Sequence, residues 1–256
     1  MLLRSLLLAC AASLLLVAAV PVRAQEPDAE PTAPGQAFDP PANAVRLSPK
    51  HDVWIDVKNK SVLVDGEVCL RDGQLEMFAC PRGTKEHESV VSLKTRAYFV
   101  HAGLLAIGAK AGNVVKFDPE YAPAWGDKIL IEVQWYEDGK LKKTRAQEWV
   151  QQVKTGKAMP YDWVFAGSGF WVDPENSERH YQAESGDFIC VSNFPTATLD
   201  LPIESSQGNA GLLFSAFTEH IPPLKTPVRL VLTYEPSKKD ADEKKAEPKD
   251  GAPTDN

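Results

Sequence analysis

The chain has 256 residues, with 28 Lys and Arg against 35 Asp and Glu, a formal charge of −7 at pH 7, and 43% hydrophobic residues. That acidic balance lacks the basic footprint that binding to nucleic acid or an anionic membrane requires, so no nucleic-acid partner is expected. The apolar fraction is that of a globular protein, and the length allows one domain or two small ones.

Residues 1–24 read as a secretory signal peptide. Arg4 supplies the positive start, residues 5–20 are apolar apart from two serines, and Val22 and Ala24 occupy the −3 and −1 positions of a cleavage site. Two other readings stay open. The apolar run approaches the ~20 residues of a membrane anchor, although a small-residue cleavage site and a Pro-rich segment follow it. Leu7-Leu8-Ala9-Cys10 resembles a lipoprotein box, although the apolar segment before Cys10 is short. Export would place the protein in the periplasm or outside the cell, with no transmembrane segment after cleavage. Loss of Arg4 and Arg23 would make the mature chain more acidic.

Residues 25–43 hold five prolines, four acids, no base and almost no large apolar side chain, the composition of a disordered linker. Residues 44–235 read as one domain, and residues 236–256 as a disordered charged tail.

The domain opens with alternation. Val53, Ile55 and Val57 interleave with Asp52, Trp54, Asp56 and Lys58, and a tight turn at Asn59-Lys60 leads to Val62-Leu63-Val64. Asp65-Gly66 is either a hairpin turn or a bulge within a longer strand, and Asp72-Gly73 is a second hairpin dipeptide. Residues 94–107 form the clearest helix, because Ala97, Val100, His101, Leu104 and Leu105 fall on one stripe and Gly108 is placed to end it. Strands are predicted at 114–117, 129–136, 141–150 across the Asp138-Gly139 turn, 163–166, 188–192, 212–217 and 228–232. The fold class expected is α+β: a mainly antiparallel β-sheet with one principal amphipathic helix, about 94–108, packed on it.

The densest polar cluster is Cys80-Pro81-Arg82-Gly83-Thr84-Lys85-Glu86-His87-Glu88-Ser89. It is either a charged surface turn or a site. Lys85 and Glu86 would then hold a ligand, and His87, Glu88 and Ser89 would supply base, acid and nucleophile. His87-Glu88 does not extend to the H-E-x-x-H zinc motif, because Val91 stands at the second histidine's place. His101 lies within the apolar stripe of the helix. A buried imidazole needs partners for its nitrogens or a metal, so His101 is either a satisfied core residue or pairs with His87 and Glu88.

Loss of Cys10 with the leader leaves Cys69, Cys80 and Cys190, in a compartment where disulfides persist. Cys80, at the end of the strand expected over 74–80 after Asp72-Gly73, and Cys190 each end a predicted strand beside a polar loop and are the expected pair, with a catalytic Cys80–His arrangement as the alternative. Of the aromatic residues between Trp125 and Trp171, Trp163 and Trp171 are candidates for stacking on a ligand, and core packing is the other reading. No cofactor is predicted, and three cysteines cannot supply a four-cysteine iron–sulfur cluster.

The segments GQLEMFACPRGTKEHESVVSL, VHAGLLAIGA, WVFAGSGFW and GDFICVSNFPTATLDLPI, in this order behind a signal peptide, resemble the YdjY-like domain family of exported bacterial proteins, with the tryptophans and cysteines of its planctomycete members. The resemblance implies a single exported domain and carries no established activity. The ferredoxin-like label given to the family's namesake is not implied here, because the cysteine ligands are missing. The expected function is a non-enzymatic module, outside the cytosol, that binds a small ligand, a glycan or an envelope protein. The alternative is a hydrolase or metal-dependent enzyme using His87, Glu88, Ser89 and His101.

Overall fold

The computed structural model describes residues 35–205 and 211–236; the signal peptide expected at 1–24, residues 25–34, residues 206–210 and the tail expected from 236, save its first residue, lie outside the described residues. The strands in chain order are β1 (Val45–Arg46), β2 (Val53–Asp56), β3 (Ser61–Val68), β4 (Met77–Pro81), β5 (Ser89–Leu93), β6 (Lys128–Glu137), β7 (Lys140–Arg145), β8 (Val150–Gln152), β9 (Lys157–Ala158), β10 (Trp163–Phe165), β11 (Phe170–Val172), β12 (Arg179–Tyr181), β13 (Ile189–Cys190), β14 (Leu199–Asp200), β15 (Phe214–Ala216) and β16 (Pro227–Tyr234). The single α-helix among the described residues, α1 (Ala97–Ala106), comes between β5 and β6.

The expected α+β class is corrected by the strand pairing. The order β3-β16-β6-β10-β14-β13-β4-β5 returns to β3 through a β3–β5 ladder, so eight strands close into a barrel. Two neighbours, β4–β5 and β13–β14, run parallel, and the other six ladders are antiparallel. Closure pairs the ring strands on both sides, with β1–β2 extending from β3 and β7 from β6, and leaves the helix as a cover rather than a layer.

Closure depends on β3, which changes partner along its length. Residues 61–64 pair with β2, whereas Gly66, Glu67 and Val68 pair with β5. The Asp65-Gly66 dipeptide is therefore inside a continuous strand, not at a hairpin turn. A Cβ on Gly66 would stand 2.5 Å from the Ser92 carbonyl oxygen and 2.9 Å from Leu93 Cδ2, so the glycine admits the closing strand. The Asp138-Gly139 turn, in contrast, joins β6 and β7 as predicted, with φ of 50° and 71°.

The barrel interior is packed rather than hollow. Phe78, Trp163, Phe165, Phe188 and Leu199 are fully buried in one contiguous core with Val64, Val133 and Leu230. Helix α1 lies over β2 and β3, and Gly103 permits the approach: a Cβ there would meet Val62, Ile55 and Leu47 methyls at 3.0–3.2 Å. Its buried side is Ala97, Val100, Gly103 and Leu104, while Leu105, expected in the stripe, is exposed. Gly108 ends the helix with a φ of 95°. Residues 114–117, predicted as a strand, instead belong to an irregular excursion held by isolated bridges Asn113–Trp125 and Lys116–Ala122.

Phe38, assigned by composition to the linker, packs on the barrel. Its ring lies 5.2 Å from that of Tyr136 and 4.7 Å from the guanidinium of Arg229, whose Nη2 donates to the Asp39 carbonyl at 3.0 Å. No helix among the described residues is long and apolar enough to cross a membrane.

Candidate functional site

The polar loop between β4 and β5 is bound up in itself. Glu86 Oε1 accepts from the Gly83 amide at 2.8 Å and from the Ser92 hydroxyl at 2.9 Å. The buried Ser89 hydroxyl donates to the Lys85 carbonyl at 2.7 Å, and no histidine shares that bond. Lys85 Nζ reaches Asp187 at 2.9 Å, Glu88 at 3.4 Å and Glu76 at 3.8 Å, and lies 4.4 Å over the Phe194 ring. Burial pulls the Lys85 ammonium down, but Asp187 and Glu88 outweigh it and hold the group above its usual range. Burial and the neighbouring Glu88 raise Glu76. These groups brace the wall between β4, β5 and the segment before β13.

His87 points to solvent, its side chain 77% exposed, with Glu88 at 3.9 Å. It makes no contact with His101, so the pair is not brought together. Among the described residues no three His, Cys, Asp or Glu side chains converge on a metal position.

His101 has its partner on β12. Its Nδ1 lies 2.9 Å from the Tyr181 hydroxyl, which also meets Thr198 Oγ1 at 2.9 Å and the Gly167 carbonyl at 3.2 Å. The imidazole stands edge-on to Phe165 and Tyr181. Burial lowers the pKa of His101 and raises that of Tyr181, so both are neutral near pH 7.

Tyr181 is also the floor of a hollow of 330 Å³ lined by Arg96, Tyr98, Phe170 and Arg179. Its three rings lie 5.3–6.5 Å apart. The Arg179 guanidinium sits 4.4 Å over Phe170. Glu184 Oε1 accepts from the Tyr98 amide at 3.0 Å and lies 3.4 Å from Arg96 Nε. Two guanidiniums against one carboxylate leave the hollow positive. Its members come from the start of α1 and from the β11–β12 hairpin, where Phe170 pairs with Tyr181.

The two tryptophan candidates part company. Trp163 is in the barrel core, its Nε1 donating to the Cys190 carbonyl at 2.8 Å, which corrects its assignment to a ligand surface. Trp171 is 50% exposed beside the hollow, but as the residue after Phe170 it faces the other side of the hairpin, against His180.

The expected Cys80–Cys190 disulfide is also corrected. All three described cysteines are free thiols. Cys190 stands across from Met77, three residues along β4 from Cys80. At ~3.3 Å per residue the two Cα atoms are roughly 10 Å apart, beyond the ~7 Å a disulfide spans. Burial raises the pKa of each thiol, and Cys69 donates to the Ser89 carbonyl at 3.0 Å.

Sequence reasoning also missed a buried acid. Asp200, fully buried on β14, accepts from Asn193 Nδ2 at 3.1 Å and the Leu201 amide at 2.8 Å through Oδ1, while Oδ2 has no partner. Burial pushes its pKa up to about 7. Asn193 Oδ1 in turn accepts from the Ser205 amide at 2.8 Å and the Tyr121 hydroxyl at 3.3 Å, so the acid anchors three segments. The available signal was an aspartate between Leu199 and Leu201 in an apolar stretch.

No curated protein and no solved structure matches this chain. Residues 53–233, from the start of β2 through nearly all of β16 and so including the barrel, match the YdjY domain. The chain belongs to the YdjY domain family.

Proposed function

We propose that the domain is a non-enzymatic binding module, exported from the cytosol, that takes a small ligand carrying a carboxylate on a flat apolar body. The observation that carries this reading is the hollow where Arg96 and Arg179 flank the rings of Tyr98, Phe170 and Tyr181. Planar guanidiniums pair with carboxylates in two parallel hydrogen bonds, and aromatic faces supply contact area at low entropic cost. The floor ring is held by three hydrogen-bond partners and needs no reordering on binding. The signal-peptide pattern of residues 1–24 supports export.

Titration of the mature chain with phenylacetate and with phenylacetamide, followed by backbone amide shifts, tests the reading. The acid should produce saturable shifts around Arg96 and Arg179, and the amide should bind at least about ten-fold more weakly. Equal binding of acid and amide, or shifts elsewhere, would overturn it. Mass analysis of protein from the native compartment tests export: a mature start at Gln25 is expected, and an intact leader contradicts it.

A further inference from the structure

A larger hollow, of 480 Å³, lies at the barrel end where β6 leaves and β16 enters, lined by Trp135, Thr144, Arg145, Glu148, Trp149 and His220. Its volume falls within the range of about 300–1,000 Å³ common for small-ligand sites, and barrel mouths often hold such sites. The polar groups around it are of both kinds. His220 Nδ1 lies 2.7 Å from the Glu148 carbonyl, which can only accept. Nδ1 therefore carries a proton, which leaves Nε2 as the ring nitrogen free to meet a ligand. The ring is fixed by stacking on Phe217 at 3.8 Å.

The Glu148 carboxylate adds acceptors and has no hydrogen-bond or ion-pair partner among the described residues. Arg145 contributes donors beyond the one given to Asp162 at 2.8 Å, and Thr144 contributes a hydroxyl. Trp135 is half-buried, tilted at 58° to Trp149 with ring centres 5.3 Å apart. The indole N–H groups of both tryptophans are buried without a hydrogen-bond partner. Nearly all buried polar groups are satisfied, so two unsatisfied indoles in one corner call for an explanation.

We propose that this hollow is a second ligand site and that it takes a neutral saccharide. An anion would face the uncompensated Glu148 carboxylate. A cation would satisfy Glu148 and His220 but leave the Arg145 and indole donors opposed to it. A purely apolar ligand would strand every polar group on the rim. Sugar hydroxyls donate and accept at once, and a sugar's C–H face suits the indole of Trp135.

The test follows the indole N–H resonances of Trp135 and Trp149 in the mature chain during titration with maltose, cellobiose and diacetylchitobiose, with glucuronate and choline as charged controls. At least one neutral disaccharide should shift both resonances saturably. Glu148→Ala and His220→Ala, both at the rim, should weaken that binding about ten-fold each while the rest of the spectrum keeps its dispersion. Arg179→Ala should leave it unchanged, which separates this site from the Arg96–Arg179 hollow. Saturation by choline or glucuronate alone, by none of the five probes, or equally well in both rim variants would overturn the proposal.

Discussion

The Tyr181 hydroxyl lies 2.9 Å from His101 Nδ1, joining the helix to the β11–β12 hairpin under the floor of the Arg96–Arg179 hollow. The histidine acts on the hollow through the tyrosine, as a positioning residue. Tyr181→Phe removes the hydroxyl that His101, Thr198 and the Gly167 carbonyl share, and it should cost ~1–3 kcal/mol in urea denaturation. It should also weaken phenylacetate without removing either guanidinium. An unchanged denaturation midpoint would show that this network is not holding the floor.

Barrel closure makes a demand at one glycine. Gly66→Ala places a methyl 2.5 Å from a backbone oxygen of β5, where little can yield, and should destabilise the fold by ~3 kcal/mol. Gly103→Ala meets only methyl groups at 3.0–3.2 Å and should cost less. Paired denaturation curves check the order, and a milder effect at Gly66 would argue against the β3–β5 ladder.

Asp200 sets a pH dependence. Its folded pKa is raised to about 7 by burial, against ~3.9 in an unfolded chain. The stability it contributes is therefore fully present below pH ~4 and is lost as pH rises through about 7, by at most ~4 kcal/mol. His101 works the other way. Burial lowers its pKa, so it withdraws stability as pH falls below ~6.5. Asp200→Asn should flatten the melting temperature between pH 4 and 7 relative to the parent, and an identical profile would place the titration elsewhere.

The thiols should be silent. Cys80 and Cys190 are fully buried, and all three described cysteines have raised pKa values. Ellman's reagent should label none of the three in the folded mature chain and all three in guanidinium. A Cys80–Cys190 crosslink found by mass mapping without reductant would contradict the register of β4 and β13.

Local signals were legible where the chain meets itself nearby. The alternation over β2, the Asp138-Gly139 turn and the Gly108 stop can each be read from a few adjacent residues. Closure could not be read, because Asp65-Gly66 has the composition of a turn and its true role depends on β5. The loop from Lys85 to Ser89 was visible as a dense polar cluster, but composition does not show that Asp187 and Ser92, from outside it, take up its charges and hydroxyls. The Arg96–Arg179 hollow escaped for a similar reason: Arg96 and Arg179 meet only after the barrel brings α1 to the β11–β12 hairpin. His101 was picked out because an imidazole among apolar neighbours needs a partner, a requirement that holds without knowing the fold.

Calorimetric titration with phenylacetate of the parent and of an Arg96→Ala/Arg179→Ala double variant tests the binding claim most directly. Saturable binding by the parent, weakened at least about ten-fold in a double variant that still melts cooperatively, is the predicted result. Equal affinity in the two proteins, or no saturable binding by the parent, would contradict it.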